Sequence, residues 1–505
     1  MSLFGALQVS KSGLNADQVA LETTGNNISN VNTDGYSRQE VDIEENSTIY
    51  EASIKGNLGT GVDVDGVTRT VDDYVRSQER DANSNYQYYS TKSTELGDLE
   101  DILDEPSDNG LVTQLSTLTT AWNTLAEDTD SSTDKTSVVE DANTLAETLN
   151  QMSDDISDLQ SNITDNVVSD VASFNSDLSQ LQTVNKEIYT MVNDGQTPND
   201  LLDERDSLLK DMSGYTDIST TFDSYGRASV SIDGQDVLTA DSKSSLSVVT
   251  ASSDSGSTVA KNGDTDDSET VSDDYDVNTI LLTTTDSDGN TSYSTLDVTS
   301  GSIGGLKDSS SEVTTRLQEL NNFAETLAKT VNTVYTSGES STSGFFDLGD
   351  DDNYAKNIAV ESTLTDDADN LTAGTTSSSD ETTIASAMAD LADTDFEFPV
   401  TDSELSSFSS SSLSFSSTTS SGETYSEAFS NIVTKNATSK SEADDLSTST
   451  DSVLSELETQ DESVSGVSLT EEFSNLIQYQ RGYQANAKVL NTISEMLDTL
   501  INDIE

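Results

Sequence analysis

The residues best suited to chemistry in this chain are acidic. Asp286-Ser287-Asp288-Gly289-Asn290-Thr291-Ser292 sets oxygen-bearing side chains at alternate positions, like the opening of a calcium loop. Its glycine comes fourth instead of sixth, however, its twelfth residue is Asp297, and no helical pattern flanks it. A hairpin turn is the better reading. The run Asp347 to Asp352 could hold a divalent cation weakly, but reads better as a solvated acidic loop. Paired carboxylates can also hydrolyse glycosides as acid and base. With 94 Asp and Glu in 505 residues, close pairs are inevitable, so a hydrolase would also need a concave pocket that raises a carboxyl pKa. There is no His and no Cys, which removes Ser-His and Cys-His nucleophilic pairs, His-ligated zinc, thiol redox chemistry and disulfides. No phosphate-binding glycine loop is present. The expectation is a non-enzymatic chain with no catalytic residue, no metal ligand and no cofactor.

The charge balance bounds the partners. Only 22 Lys and Arg offset the acids, for a formal net charge of -72. Binding that rests on phosphate neutralisation, or on an anionic membrane surface, is excluded, so neither nucleic acid nor membrane is expected as a partner. Such a surface repels itself at low ionic strength, whereas at about 1 M salt the Debye length falls to roughly 3 Å. Hydrophobic residues make up only 32 %, so periodicity has to decide where structure forms. No apolar run approaches the roughly 20 residues of a membrane span, and Met1 to Asn15 lacks the basic and apolar regions of a Sec signal. A soluble chain is expected, leaving the cell by another route if it leaves at all.

The elements that would position any site follow from hydrophobic spacing. Leu3, Leu7, Leu14, Leu21 and Ile28 recur at four and seven, one stripe of a helix. Asn26 to Asn30 then leads into a turn at Thr33-Asp34-Gly35-Tyr36, followed to about Val71 by short strands and glycine turns. Helical spacing returns from Asp72 to Met212, for example Leu145, Leu149, Met152, Ile156, Leu159 and Ile163, with a break at Asn193-Asp194-Gly195 and Pro198. Alternation such as Ala228, Val230, Ile232 marks a β insert, and a helix follows from about Gly305 to Thr336. Residues 337–424 are rich in Ser, Thr and Asp and read as loop or poorly ordered chain. A further helix spans Tyr425 to Ser463.

The C-terminal segment carries the clearest pattern. Leu469, Phe473, Leu476, Gln480, Tyr483, Ala487, Leu490, Ser494, Leu497, Ile501 and Ile504 alternate by four and three, as along the seam of a heptad repeat. A seam on an end helix needs a cover, and the N-terminal stripe is the obvious candidate. The expected fold is therefore mainly α with an inserted β domain. In it the terminal helices pair as a coiled coil, next to a long helical bundle and a small all-β outer domain. Residues 1–71 and 464–505 would form a terminal assembly domain, 72–213 and 303–463 the helical domain with 337–424 loop-rich, and 214–302 the β domain.

At this point the residues resemble a family. The run from Gly25 to Arg38, with Asn26, Asn27, Asn30, Gly35 and Tyr36, resembles the N-terminal signature of flagellar rod, hook and hook-associated proteins. Gly466 to Phe473 and Tyr479 to Leu490, including Asn486, resemble the matching C-terminal signature. Within that family, Gly195 to Asp206 and Gly301 to Leu306 resemble motifs of the hook-associated members, and the long helical middle argues against a hook protein. The size and number of outer domains differ among relatives and stay open. The resemblance implies a structural subunit that assembles with itself as a ring at the hook-filament junction, between the hook protein and the next hook-associated protein. It also implies an export chaperone, the flagellar type III export apparatus and an extracellular location. The inter-subunit contacts would fall on Leu3, Leu7, Leu14, Leu21, Asn26, Asn27, Ile28, Asn30, Gly35 and Tyr36, and on Leu469, Phe473, Leu476, Gln480, Tyr483, Asn486, Ala487, Leu490, Leu497 and Ile501.

Locally, the asparagines can cap the helix end, Gly35 supplies a positive φ and Tyr36 an anchoring ring with a polar tip. Arg205, flanked by Asp203, Glu204 and Asp206, reads as a local ion pair. The charge excess also makes a salt prediction. Circular dichroism should show markedly better folding in about 2 M than in about 20 mM salt; equal folding in both would defeat the reading.

Overall fold

The structure, a computed structural model, describes residues 3–51, 56–103, 107, 110–253, 256–285, 291–337, 343–349, 352–374, 383–416 and 422–502, with backbone only at residues 51 and 500–502. The expected turn at 286–290, parts of the 347–352 run and of the 337–424 stretch, and residues 1, 2 and 503–505 lie outside the described residues.

Helix α1 (Leu3–Ser29) is followed by an antiparallel ribbon of β1 (Gln39–Glu45) and β4 (Val62–Arg69), which encloses the small hairpin β2 (Ile49–Glu51) and β3 (Gly56–Leu58). Then come α2 (Asp73–Leu103), α3 (Leu111–Glu127), α4 (Ser132–Asn193) and α5 (Asn199–Tyr215). Two antiparallel sheets form the β insert. The first is β5 (Ser219–Phe222), β6 (Ala228–Ile232) and β7 (Gln235–Leu238) in chain order. The second, ordered β10-β9-β8-β11-β12, comprises β8 (Ser245–Ser253), β9 (Gly256–Ala260), β10 (Ser268–Val271), β11 (Ile280–Thr285) and β12 (Thr291–Leu296). Helix α6 (Gly301–Tyr335) returns to the bundle. Two-residue strand pairs β13 (Phe346–Asp347) with β14 (Ala359–Val360) and β15 (Phe408–Ser409) with β16 (Ser414–Phe415) follow, among short helices α7 (Tyr354–Asn357), α8 (Ser362–Asp366), α9 (Ile384–Asp390) and α10 (Asp402–Leu405). The long helices α11 (Tyr425–Ser465) and α12 (Leu469–Asn502) end the chain.

Local chemistry sets the helix limits. Ser131 accepts from the Asp134 N–H and starts α4, and Thr424 with Glu427 forms a reciprocal capping box at the start of α11. Helix α4 stops where Gly195 takes φ +79°, and Pro198, which has no N–H to satisfy, stands just ahead of α5. At 1.5 Å per residue α4 is about 90 Å long. It is the spine of the bundle because its apolar stripe, from Leu145, Leu149 and Ile156 through Phe174, Leu178 and Ile188, is wholly buried. Each such side chain contributes about 1.5–3 kcal/mol on burial. Helices α2 and α11 run antiparallel, with Ser93 bonded to Asp444, Asn436 donating to the Leu96 carbonyl, and Arg76 paired to Asp461.

The sheets attach to α4 through asparagine amides. Asn175 donates to the Leu246 carbonyl and accepts from its N–H, both at 2.9 Å; Asn185 makes the same pair with Ala228, at 2.8 and 2.9 Å. A side-chain amide has the donor and acceptor of a peptide, so each Asn lets a helix pair with strand backbone.

The structure corrects the reading of 337–424. Its described parts are packed, because their few apolar residues are the ones that fill gaps between helices. Phe345, Ile358, Leu364, Leu371, Ile384, Met388 and Phe396 all belong to the main core. Asn332 holds Phe346 by both backbone groups, at 2.8 Å each, and Phe345 lies against Trp122 and Tyr335 at ring separations of 5.5 and 5.7 Å. Composition had concealed this, since a serine-rich stretch needs only a few anchors. Phe345→Ala should therefore cost about 3–5 kcal/mol in urea unfolding; a loss under about 0.5 kcal/mol, as at a surface position, would show the segment to be peripheral.

Candidate functional site

The four segments singled out by motif, the Gly25–Arg38 signature, the Gly195–Asp206 and Gly301–Leu306 motifs and the C-terminal signature, are far apart in sequence. Two of them, the first and second, meet in one buried polar cluster. Ser37 donates from Oγ to Asp203 Oδ1 at 2.6 Å and from its N–H to Oδ2 at 3.2 Å. Arg69, at the end of β4, donates to Asp203 and Asp206 at 2.7 and 3.0 Å. Arg76 reaches Asp206 at 2.7 Å, Ser37 Oγ at 2.9 Å and Asp461 of α11 at 3.2 Å. The local ion pair expected for Arg205 forms with Asp206, at 2.5 and 2.8 Å, yet Arg205 also donates to the Gly226 carbonyl at 2.6 Å and covers the Phe222 ring at 4.1 Å. Three guanidiniums thus balance three carboxylates, and the Asp206 side chain is only 9 % exposed. Burial alone would push the Asp206 carboxyl up, but Arg205, Arg69 and Arg76 together hold it below the usual carboxylate range. Burial draws the Arg205 guanidinium down.

The signature asparagines divide their tasks. Asn26 and Asn30 cap the end of α1, with Asn30 Nδ2 donating to Asn26 Oδ1 at 2.8 Å. Asn27, expected at a subunit boundary, is instead used up inside the chain. Its Oδ1 accepts from the Gln39 N–H at 3.0 Å and the Tyr36 hydroxyl at 2.8 Å, and its Nδ2 donates to the Gln39 carbonyl at 2.9 Å and to Glu472 of α12 at 3.2 Å. Tyr36, so placed, has its phenol pushed up to about 12 by burial, with Asp203, Asp200 and Glu472 adding to it. Gly35 has the positive φ expected, +75°. The Arg38 N–H donates to the Ser465 carbonyl at 2.7 Å and fastens the turn between α11 and α12.

Helices α1 and α12 pack side by side and antiparallel: Gly13 faces Asn486, Asp17 faces Gly482, and Asn27 faces Glu472. Asn486, another expected boundary residue, donates to Asp17 at 2.8 Å. A Cβ on Gly482 would lie 2.7 Å from the Asp17 carboxylate, so the glycine is what lets the helices approach there. This face is not the expected one. On α1 the buried positions are small or polar, Ala16, Ala20, Thr23, Thr24 and Asn27, whereas Leu3, Leu7, Leu14, Leu21 and Ile28 flank them half-buried. On α12 Glu472 and Ile493 are buried, and Leu476, Ala487, Leu490 and Leu497 half-buried. Leu469, Phe473 and Tyr483 stand 44 %, 53 % and 37 % exposed, and Gln480 is exposed too. Ile501 lies in α12, with its side chain outside the described residues. The helices meet along their small residues because close approach of backbones needs them; the large apolar stripes are displaced to the rim.

A cleft of about 710 Å³ between α2, α4, α5 and α6 does hold carboxyls raised by burial, Glu95, Asp170, Asp177 and Asp211 among them. Two of them have hydrogen-bond partners: Ser302 of the Gly301–Leu306 motif bonds Asp170 and Asn166 donates to Glu95, while the adjoining Lys210 is taken by Glu79 and Glu458. Among the described residues no group of three or more acidic side chains is arranged to hold a metal ion, and no helix is long and apolar enough to cross a membrane.

Comparison with known proteins gives three family matches along the chain. Residues 96–346 match the family of the flagellar hook-associated protein FlgK helical domain, 7–36 the flagella basal body rod protein family, and 462–503 the flagellar basal body rod FlgEFG protein C-terminal family. The chain is 28 % identical to flagellar hook-associated protein 1 of Bacillus subtilis, over 99 % of this chain and 98 % of that one. It is 25 % identical to the protein of that name from Salmonella typhimurium, over 97 % and 98 %. The solved flagellar hook junction protein FlgK from Burkholderia pseudomallei is 21 % identical with a TM-score of 0.45, over 54 % of this chain and 47 % of that one. The ends and the buried cluster thus belong to an axial protein of the bacterial flagellum. Within that class the chain belongs to the hook-associated protein 1 family.

Sequence reading missed Arg69, Arg76 and Asp461 as members of the cluster. The signal for the two arginines was rarity: with 22 cations against 94 acids, a cation at the end of a strand is not there for surface solubility. Two pH limbs follow. Glu95 and Asp170 have raised folded values, so their contribution grows as pH falls from neutral through those values; Asp206 has a lowered one, so its contribution is present above about 3.9, the unfolded value, and lost as pH falls through the folded value. Thermal stability should rise on mild acidification and then collapse. Asp206→Asn should cost about 3–5 kcal/mol at neutral pH and reduce the acid-side loss of stability; an unchanged pH profile would remove Asp206 from the cluster's energetics.

Proposed function

We propose that this protein is a structural, non-enzymatic subunit of the flagellar axis that stands at the junction between hook and filament. One observation carries the reading: after α1 and α12 have packed together, both keep an apolar stripe that their own chain leaves at the surface, with Leu469 and Phe473 about half exposed. Copies arranged in a ring would cover those stripes, so that the paired ends form a coiled inner layer, the helical domain surrounds it, and the sheets of 214–302 form a small outer domain. Leu3, Leu7, Leu14, Leu21 and Ile28 would meet Leu469, Phe473, Leu476, Tyr483, Leu490 and Leu497 of neighbours. The hook protein would take one side and the next hook-associated protein the other. Before assembly the same stripes suit an export chaperone and passage through the flagellar type III apparatus to an extracellular position.

Similarity to hook-associated protein 1 over nearly the whole chain supports this reading. A hook or rod protein would be expected to keep Thr197 to Asp206 away from long helices, whereas that segment opens α5 directly after the 62-residue α4. Leu469→Asp with Phe473→Asp should leave the thermal midpoint unchanged and abolish filament growth in a strain lacking the native protein. Normal growth with the double variant would sink the proposal, as would antibody label along the whole hook.

A further inference from the structure

Charge is distributed unevenly between the ends of the chain and its body. Helices α1 and α12 together carry three basic and six acidic residues, against 22 and 94 in the whole chain, so the terminal pair is close to neutral. Most basic side chains of the body hold a carboxylate; Lys92, Lys210, Lys261 and Lys440 each reach one, at 2.5–2.9 Å. The three of the terminal pair, Lys11, Arg481 and Lys488, are exposed and make no ion pair among the described residues. The exposed acids Glu22 and Glu495 of the same helices hold no cation there either; Glu22 accepts only from Gln18, at 3.1 Å.

These open charges lie on two polar stripes. On α1 the exposed positions Gln8, Lys11, Asn15, Gln18 and Glu22 recur at three and four, and on α12 Arg481, Gln484, Lys488, Asn491 and Glu495 do the same. Lys11 stands about two and a half turns from buried Ala20, and Arg481 as far from buried Glu472, so each stripe points away from the partner helix. The stripes are thus on opposite sides of the pair, where their own chain cannot join them. Copies standing side by side can, through a contact that sets the α1 side of one against the α12 side of the next. The internal register, Gly13 against Asn486 and Asn27 against Glu472, fixes the heights: Lys11 is level with Lys488. Neighbours at one height would therefore oppose two lysines. At 1.5 Å per residue, an offset of about 10 Å sets Lys11 against Glu495, and one of about 6 Å sets Glu22 against Arg481.

We propose that the α1 stripe of one copy docks on the α12 stripe of a second copy at an axial offset of about 8 Å, with Lys11 meeting Glu495 and Glu22 meeting Arg481. That single offset serves both pairs within the reach of such long side chains and keeps the whole of α1 on the neighbour's α12. The contact rests on the reading of the terminal helices as a layer of copies and adds its register: like charges exclude level docking and opposite charges select the offset. Ion pairs enclosed between helices are screened far less than the open acidic surface, so the register persists in strong salt.

The chain has no cysteine, so introduced thiols report without background. Flagella from a strain lacking the native protein and carrying Lys11→Cys with Glu495→Cys should give covalent dimers and larger species with a short bismaleimide, whereas Lys11→Cys with Lys488→Cys should not. Dimers from the second variant alone, or from neither, would overturn the contact. Charge exchange provides the other arm. Lys11→Glu, at an exposed and unpaired position, should leave the thermal midpoint of the monomer unchanged and lose most filaments, and adding Glu495→Lys should restore them. Filaments unaffected by Lys11→Glu, or restored by Asp498→Lys and not by Glu495→Lys, would overturn the register. Antibody label of the assembled protein at the hook-filament boundary judges the junction reading separately, so each can fail without the other.

Discussion

The attachment of the terminal helices rests on buried charge. No side chain of α1 or α12 belongs to the main apolar core, which begins at Leu96 and ends at Ile432 among the described residues. What joins the ends to the body is the β1–β4 ribbon and the cluster of Arg69, Arg76 and Arg205 with Asp203, Asp206 and Asp461. Moving such groups out of water costs several kcal/mol per ion, so the cluster is a poor source of net stability. Its strength is direction. A guanidinium with two carboxylates at 2.7 and 3.0 Å tolerates little rotation, whereas an apolar contact would let the ribbon slide. The ring proposed above, with its inner layer at a set angle to the helical body, would depend on that stiffness.

The same solution recurs with neutral groups. Asn27 on Gln39, Asn175 on Leu246, Asn185 on Ala228 and Asn332 on Phe346 each match a side-chain amide to the N–H and C=O of one strand residue. In a chain with 32 % hydrophobic residues, helix-on-strand contacts have limited apolar area, and polar pairs of defined geometry make up for it. These pairs and the ionic cluster are buried, so salt weakens them far less than it weakens the repulsion across the acidic surface.

Part of this was legible in advance. The stripe of α4, the break at Gly195 and Pro198, and the alternation of the β insert were visible because local spacing causes them. The packing of Phe345, Phe346 and Phe396 was not, since isolated aromatics in serine-rich chain have no period to detect. The contact face of α1 and α12 was also misplaced. Leucine spacing pointed to the large residues, while the pairing follows Gly13, Gly482 and Ala20, where two backbones can come close; size complementarity between distant segments leaves no periodic trace in either one.

By itself, the sequence determined which chemistry was absent, the helical and strand segments, and the family signatures at both ends, because composition, periodicity and motif identity are local properties. The tertiary structure alone decided that Ser37, Asp203 and Arg76 form one cluster, that Asn27 is satisfied within its own chain, and that Leu469 and Phe473 remain exposed. Those outcomes depend on which segments come into contact across hundreds of residues, and burial, charge pairing and exposure have no value until they do.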